Sequence, residues 1–392
     1  MSTETDKKPA IFVFTTAYDP FIGGAEIAIQ EVTRRLSDRF RFFIFTSRFR
    51  PDLPRYEEKD GVAIRRIGLG IHADKFLLPF AGLFVVWRYV EREHPVLFWP
   101  VMATYASGIP YLINIFRLRK PVPVVLTLQE GDSLRHIKGA RMGLVGMSWH
   151  AALGRTHYLT AISTFLLNLG KEFGYRGEAR VIPNGVDFPA FTKEFLPDEL
   201  KLLRDQLGIK PDEKVVITTS RLVHKNAVDI AIRAVTLLLR GGTKVKLLIL
   251  GSGEDEKPLR ALSRTLGAEE NILFLGSVAH SGIPKYLKIA DVFVRPSRSE
   301  GLGNSFIEAM AAGVPVIGTA VGGIVDFLDD GETGLAVRTD DPEDLALKIE
   351  DLFRNAGLRR RIVDGAHRVA FARYQREMIA EKFSETFNKV AQ

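Results

Sequence analysis

The chain has 392 residues, 46% hydrophobic and 26% charged, with no cysteine. This excludes a disordered chain, a disulfide-stapled one and a thiolate metal site, and predicts two domains of about 200 residues rather than one core. The formal charge of +7 belongs to the first half: residues 1–195 hold 26 Lys/Arg against 19 Asp/Glu, and residues 196–392 hold 28 of each.

Such a field favours anionic partners: a phosphorylated acceptor, an anionic membrane surface or nucleic acid. For nucleic acid, no aromatic-basic platform supports the charge. The first ten residues are polar and lack the apolar core of a signal peptide, which predicts a cytoplasmic protein. No apolar run reaches the roughly 20 residues that span a bilayer. The nearest, 76–86 (FLLPFAGLFVV), is interrupted by Pro79 and Gly82.

Residues 11–17 (IFVFTTA) read as a buried first strand, 19–26 as a loop and 27–36 as a helix. Gly23 and Gly24 in that loop allow a backbone to approach a ligand closely, although a lone pair is more often a plain turn. Strands follow at 41–46 and 62–67. The segment 76–89 reads as a helix with a wide apolar face, and 108–120 (GIPYLINIFRLRK) joins an apolar face to a basic end. Such patterns either rest on a membrane interface or bury against the sheet. Strand 124–128 leads to Gln129, Glu130, Gly131 and Asp132, with His136 one helical turn on. Gln129 forms hydrogen bonds but shuttles no proton. Glu130 or Asp132 either acts as a general base or fixes the loop. Strand 159–163 ends at Ser163, a cap for a helix at 164–173. Asn184-Gly185 is a turn former. The stretch 188–200, with Pro189 and Pro197, lacks periodicity and reads as a linker.

The alternation then restarts. Strand 214–219 precedes Arg221 and Lys225, and strand 245–250 precedes Gly251-Ser252-Gly253. That glycine pair lacks the third glycine of a dinucleotide fingerprint and shapes the sheet edge rather than binding NAD. Strands at 271–275 and 291–295 follow, then the turn Gly301-Leu302-Gly303-Asn304, a helix at 305–312 and a strand at 314–318. Glu300 sits on the loop at a strand's C-terminal end and Glu308 just inside the helix. The turn's amides and the helix N-terminus suit oxygen-rich or anionic ligands, at the edge where open α/β sheets bind them. Taken bare, two such carboxylates are more often solvated helix-end groups. The βα alternation in both halves means two parallel sheets covered by helices. No Asp-x-Asp, HExxH, Cys/His cluster or GxxxxGK[ST] loop is present, and Arg221 and Lys225, on the loop after the first strand of the second half, are fixed cations suited to an anionic ligand.

The stretch 295–323, RPSRSEGLGNSFIEAMAAGVPVIGTAVGG, resembles the glutamate–seven–glutamate motif of retaining GT-B glycosyltransferases, specifically the large family 4. SRLVHKN resembles that family's Arg–Lys pair, Gly23-Gly24 its first glycine-rich loop, and VIPNGVD the close of its N-terminal domain. The resemblance implies an α/β GT-B fold of two Rossmann-like domains with parallel sheets facing across a cleft. The implied divisions are 1–190 for the acceptor, 191–365 for the nucleotide-sugar donor, and a helix at 366–392 crossing back.

It further implies retaining, metal-independent transfer from a UDP- or GDP-sugar to a saccharide or lipid-linked acceptor, with no cofactor. Cell-surface polysaccharide, lipopolysaccharide or glycolipid synthesis is the implied setting, with peripheral contact at the cytoplasmic face of an anionic membrane. Arg221 and Lys225 would face the departing phosphate, Glu300 the sugar hydroxyls and Glu308 the ribose. Gly23, Gly24 and Gly301, Leu302, Gly303, Asn304 and Ser305 would line the donor. The chain departs from the family at Gln129, where many members carry histidine, and at Asn226, where glycine is usual. Rival readings are a nucleotide-sugar epimerase of the same fold and a non-catalytic sugar-nucleotide-binding protein.

Overall fold

In the computed structural model residues 8–21, 23–117, 120–129 and 144–392 are described, except for the side chains of 144–147. Glu130, Asp132 and His136 therefore lie outside the described residues. The chain forms two compact units, one of Met1–Gly185 with Arg376–Gln392 and one of Val186–Gln375.

The first unit holds strands β1 (Ala10–Phe14), β2 (Arg41–Ser47), β3 (Tyr56–Lys59), β4 (Val62–Ile67), β5 (Leu97–Pro100), β6 (Val125–Leu128), β7 (Tyr158–Ala161) and β8 (Glu178–Val181). Their order is β3-β4-β2-β1-β5 and then β6-β7-β8, and parallel bridges Phe98–Val124 and Val101–Thr127 carry β5 into β6. Only β3 pairs antiparallel. All five residues of β1 are buried, as expected of a strand covered on both faces.

In the first unit β3, β5 and β8 escape the sequence reading, as does the strand Leu335–Val337 of the second. Leu97-Phe98-Trp99-Pro100 is short and ends in proline, yet all four residues are buried and pair with β1. Tyr56-Glu57-Glu58-Lys59 is a largely exposed edge whose polar residues read as a turn. The glycine loop also differs, because the helix after it starts at Gly24, not at residue 27.

Helix Asp74–Glu93 runs straight through Pro79 and Gly82. Buried Asp74, the first helical residue, accepts the N–H groups of Leu69, Gly70 and Ile71 at 3.0, 2.7 and 3.2 Å, which ties the preceding loop to the helix. A Cβ at Gly82 would lie 2.5 Å from Ile109, so this glycine lets the helix pack on its neighbour Gly108–Phe116. Among the described residues no helix is long and apolar enough to cross a membrane.

The second unit holds β9 (Lys214–Thr219), β10 (Val245–Leu250), β11 (Ile272–Gly276), β12 (Val292–Arg295), β13 (Val316–Thr319) and β14 (Leu335–Val337), all parallel, in the order β11-β10-β9-β12-β13-β14. The stretch expected to be a linker is helical at Phe188–Thr192 and Pro197–Gln206. Its prolines fall in the first turn of each helix, where a missing N–H leaves no hydrogen bond unmade. Asp187 caps the first helix by accepting the Ala190 N–H at 3.1 Å.

The tail expected as one helix is two. Ala356–Arg373 buries Ile362 in the core of the second unit, whereas Arg376–Ala391 buries Ile379, Phe383 and Phe387 in the core of the first. Where the two chain crossings meet, the Val186 N–H donates to the Tyr374 carbonyl at 2.7 Å. The units accordingly divide at 185/186 and 375/376 rather than at 190/191 and 365/366.

Phe387 is fully buried, 5.1 Å from Trp99 and edge-on to Phe40 at 5.9 Å between ring centroids. Truncation to Ala removes a buried aromatic and leaves a cavity, so Phe387→Ala should destabilise the first unit by about 3–5 kcal/mol. All three tryptophans, Trp87, Trp99 and Trp149, belong to that unit. Denaturant unfolding followed by tryptophan fluorescence therefore reads the loss directly, and an unshifted midpoint would exclude this role for the last helix.

Candidate active site

Strand order reverses between β9 and β12 in the second sheet and between β1 and β5 in the first. Ligand crevices in open α/β sheets form at the carboxyl ends of strands at such reversals. The loop carrying Arg221 and Lys225 follows β9, and the loop carrying Glu300 follows β12. In the first unit, the segment after β1 leads to Gly23 and to Gly24 at the helix start.

The β9 loop is held by its neighbours. Gly251 and Gly253 lie against it so closely that a Cβ would meet the Ser220 carbonyl oxygen at 1.8 Å and the Leu222 carbonyl oxygen at 2.2 Å. The Leu222 N–H donates to the Ser252 carbonyl at 2.9 Å. The glycine pair thus serves backbone packing under the cation loop. Asn226 is buried, donates from Nδ2 to the Arg221 carbonyl at 2.7 Å and accepts from Arg295 at 3.0 Å. The left-handed conformation that favours glycine falls one residue later, on Ala227 at φ +52°. Arg221 is exposed and Lys225 half-buried.

The β12 loop is tied to the β9 loop by two arginines that the sequence reading passed over. Arg298 donates its backbone N–H to the Lys225 carbonyl at 2.8 Å and Nη1 to the His224 carbonyl at 2.7 Å. Its guanidinium also pairs with Asp229 at 2.8 Å and Asp340 at 2.6 Å. Its hydrogen bonds to Asp229 hold it still more firmly protonated than a free guanidinium. Arg295 donates to Ser305 Oγ at 2.8 Å and lies 2.5 Å from Glu300 Oε2. The only visible signal of this pair was its spacing, two arginines three residues apart where a strand ends.

Glu300 accepts the Gly301 N–H on Oε1 at 3.1 Å. Its backbone carbonyl accepts the Gly323 N–H at 3.1 Å. Gly301, Leu302, Gly303 and Ser305 are buried and Asn304 is half-buried, with Gly303 at φ +92° heading the helix Asn304–Ala311. On that helix Glu308 Oε1 lies 2.8 Å from His280 Nε2. His280 comes from the loop after β11 and packs edge-on against Phe191 at 5.5 Å. The sequence reading missed His280, because nothing local marks a histidine whose partner lies 28 residues away.

In the first unit Gly23 heads the helix Gly24–Arg35. Gln129 Oε1 accepts from Asn184 Nδ2 at 3.2 Å, so the departure from the family's histidine meets the Asn-Gly turn. Among the described residues no cluster of three or more His, Asp or Glu is placed to hold a metal ion.

The profile of glycosyl transferases group 1 matches residues 201–369, and that of Glycosyltransferase Family 4 matches residues 22–188. Alpha-monoglucosyldiacylglycerol synthase of Acholeplasma laidlawii is 30% identical over 336 residues, which cover 83% of this chain and 84% of that one. The chain belongs to glycosyltransferase family 4. Sucrose-phosphate synthase of Thermosynechococcus elongatus superposes on this family 4 chain with a TM-score of 0.84 at 19% identity, covering 98% of this chain and 99% of that one. HepE of Anabaena, solved with UDP and glucose, gives 0.80 at 21% identity, covering 97% and 100%. At such identities the likeness establishes the fold, which is GT-B. The family 4 chain is thus a glycosyltransferase built from two parallel Rossmann-like sheets.

Gly322 closes the site from β13. It sits at φ +57°, and a Cβ there would lie 1.9 Å from the Glu300 carbonyl oxygen. Gly322→Ala should destabilise the chain by about 1–3 kcal/mol, since the Glu300 loop must move or the backbone must strain. Thermal unfolding would register this as a drop of several degrees, and an unchanged midpoint would show that the loop yields freely.

Proposed function

We infer that this chain transfers a hexose from a UDP- or GDP-sugar to a hydroxyl of a saccharide or lipid-linked acceptor, with retention at the anomeric carbon and without a metal. The observation that carries the reading is the meeting, at one strand-order reversal, of a cationic loop and an acidic loop joined by hydrogen bonds from Arg298.

A departing nucleoside diphosphate develops negative charge, and preorganised cations lower that barrier most. Arg221 and Lys225 serve that end. Glu300 accepts hydrogen bonds from sugar hydroxyls, the amides from Gly301 to Ser305 line the sugar and diphosphate, and Glu308 accepts from the ribose. The acceptor oxygen attacks the anomeric carbon on the face the diphosphate leaves. The C–O bond to the diphosphate breaks as the new one forms, and the acceptor proton passes to the leaving phosphate oxygen. The first unit takes the acceptor side with Gln129, Glu130 and Asp132, and its Gly23 and Gly24 serve the donor. Support for a nucleotide-sugar donor comes from HepE, whose crystals hold UDP and glucose, and support for a lipid acceptor comes from the name of the Acholeplasma relative.

The same first unit supplies a surface for a lipid-borne acceptor at the cytoplasmic face of a membrane. On helix Asp74–Glu93, Phe76, Phe80, Phe84 and Arg88 recur every fourth residue and are all exposed, Phe80 and Phe84 to 69% and 76%. Four-residue spacing puts them on one helical face. An apolar stripe ending in a cation, in the half of the chain that carries the whole net charge, suits an anionic bilayer surface.

The test is donor turnover with UDP-glucose and GDP-mannose, with and without lipid and saccharide acceptors, and with the product's anomeric configuration read by NMR. Arg221→Ala and Lys225→Ala should each lower turnover by about tenfold or more while circular dichroism stays unchanged. Wild-type turnover in a folded Lys225→Ala chain would remove the cation from the mechanism. A converted nucleotide sugar with no acceptor added would mark an epimerase instead. On the membrane side, Phe80→Glu with Phe84→Glu should reduce sedimentation with phosphatidylglycerol vesicles by about tenfold or more, since each buried aromatic contributes on the order of 1.5–3 kcal/mol. Equal sedimentation of the double variant would exclude this face.

A further inference from the structure

Arg295, the last residue of β12, connects three segments of the donor edge. Its side chain is 12% exposed. Nη1 donates to Ser305 Oγ on the first turn of Asn304–Ala311 at 2.8 Å. Nη2 donates to Asn226 Oδ1 on the β9 loop at 3.0 Å and lies 2.5 Å from Glu300 Oε2 on the β12 loop. Asn226 passes the connection on, because its Nδ2 donates to the Arg221 carbonyl at 2.7 Å.

The pairing leaves capacity unspent. Glu300 Oε2 and Arg295 Nε are both buried, and among the described residues neither has a hydrogen bond of ordinary geometry. Buried polar atoms of this kind are rare in a finished structural network. Each carboxylate oxygen accepts more than one hydrogen bond, so Oε1, which accepts the Gly301 N–H, can also take a hydroxyl while the ion pair at Oε2 persists. The fork of an arginine holds partners at fixed angles, which the single point charge of lysine does not.

We propose that Arg295 is the positioning residue of Glu300. It aims the carboxylate at the donor sugar and, through Asn226, locks that aim to the loop that carries Arg221. The proposal rests on the reading of Glu300 as the side chain that holds the sugar. It assigns Arg295 no contact with the diphosphate or the nucleoside, so its effect should appear in turnover and not in nucleotide affinity.

The experiment uses the full chain with whichever of UDP-glucose and GDP-mannose it turns over, and with the matching nucleoside diphosphate for calorimetry. Arg295→Ala should lower kcat about tenfold or more and leave the diphosphate's Kd within about twofold, the signature of an interaction made with the reacting sugar alone. Glu300→Gln should do the same. The double variant should be no slower than the slower single one, because coupled residues are non-additive. Arg295→Lys keeps the charge and the fold without the fork, and should still lose at least about threefold in kcat, which keeps the test decisive if Arg295→Ala fails to fold.

Wild-type kcat in the Arg295 variants beside a slow Glu300→Gln would overturn the proposal and leave the role of Glu300 standing. Equal losses in kcat and in diphosphate affinity would overturn it too, marking Arg295 as a structural or phosphate-contacting group. Full turnover in Glu300→Gln would remove the role of the glutamate, and the proposal with it.

Discussion

The carboxyl edge of the second sheet depends on the strand-order reversal between β9 and β12 and on the two arginines that make use of it. Adjacent parallel strands place their following loops side by side, but adjacency does not fix two loops to one another. Arg298 does so with backbone and side-chain hydrogen bonds to the β9 loop and ion pairs to Asp229 and Asp340. Arg295 does so from beneath, through Asn226 and Glu300. Taking a guanidinium out of water is unfavourable unless its partners are placed well. Both side chains are mostly buried, so both loops must hold their partners in place for the charges to be tolerated. A site whose cations and acids are held in this way spends little reorganisation when a charged substrate arrives.

The glycines of this edge do complementary work. Where the β10 loop crosses the β9 loop, and where the β13 loop crosses the β12 loop, chain passes chain at a separation that excludes a side chain. Each functional loop is therefore pressed from one side by glycine backbone and clamped from the other by arginine. Both glutamates are engaged in the same way, Glu300 by Arg295 and Glu308 by His280. These basic partners orient the acids while leaving acceptor capacity for hydroxyls.

The first unit shows how an unfavourable-looking pattern is used. Pro79 and Gly82 read as breaks in an apolar run, yet the helix continues through them and Gly82 becomes the point where the next helix approaches. Its opposite face keeps a run of phenylalanines in solvent. The loop expected on the acceptor side is described only at Gln129, which turns to Asn184 rather than standing alone.

Local signals in the sequence were enough to determine most of the parallel strands, the loops that follow them and the family. Those depend on apolar runs, turn residues and spacing, which are written in consecutive residues. The edge strand Tyr56–Lys59 and the proline-ended Leu97–Pro100 were not legible, since one lacks an apolar pattern and the other is a strand only because its neighbours bury it. The same holds for the tail, where the division at Gln375 depends on which core each helix finds. Only the tertiary structure decided that Arg295, Arg298, Asn226 and His280 belong beside the acids and cations. Their partners are brought near by strand order, and no local spacing encodes a contact made across a sheet.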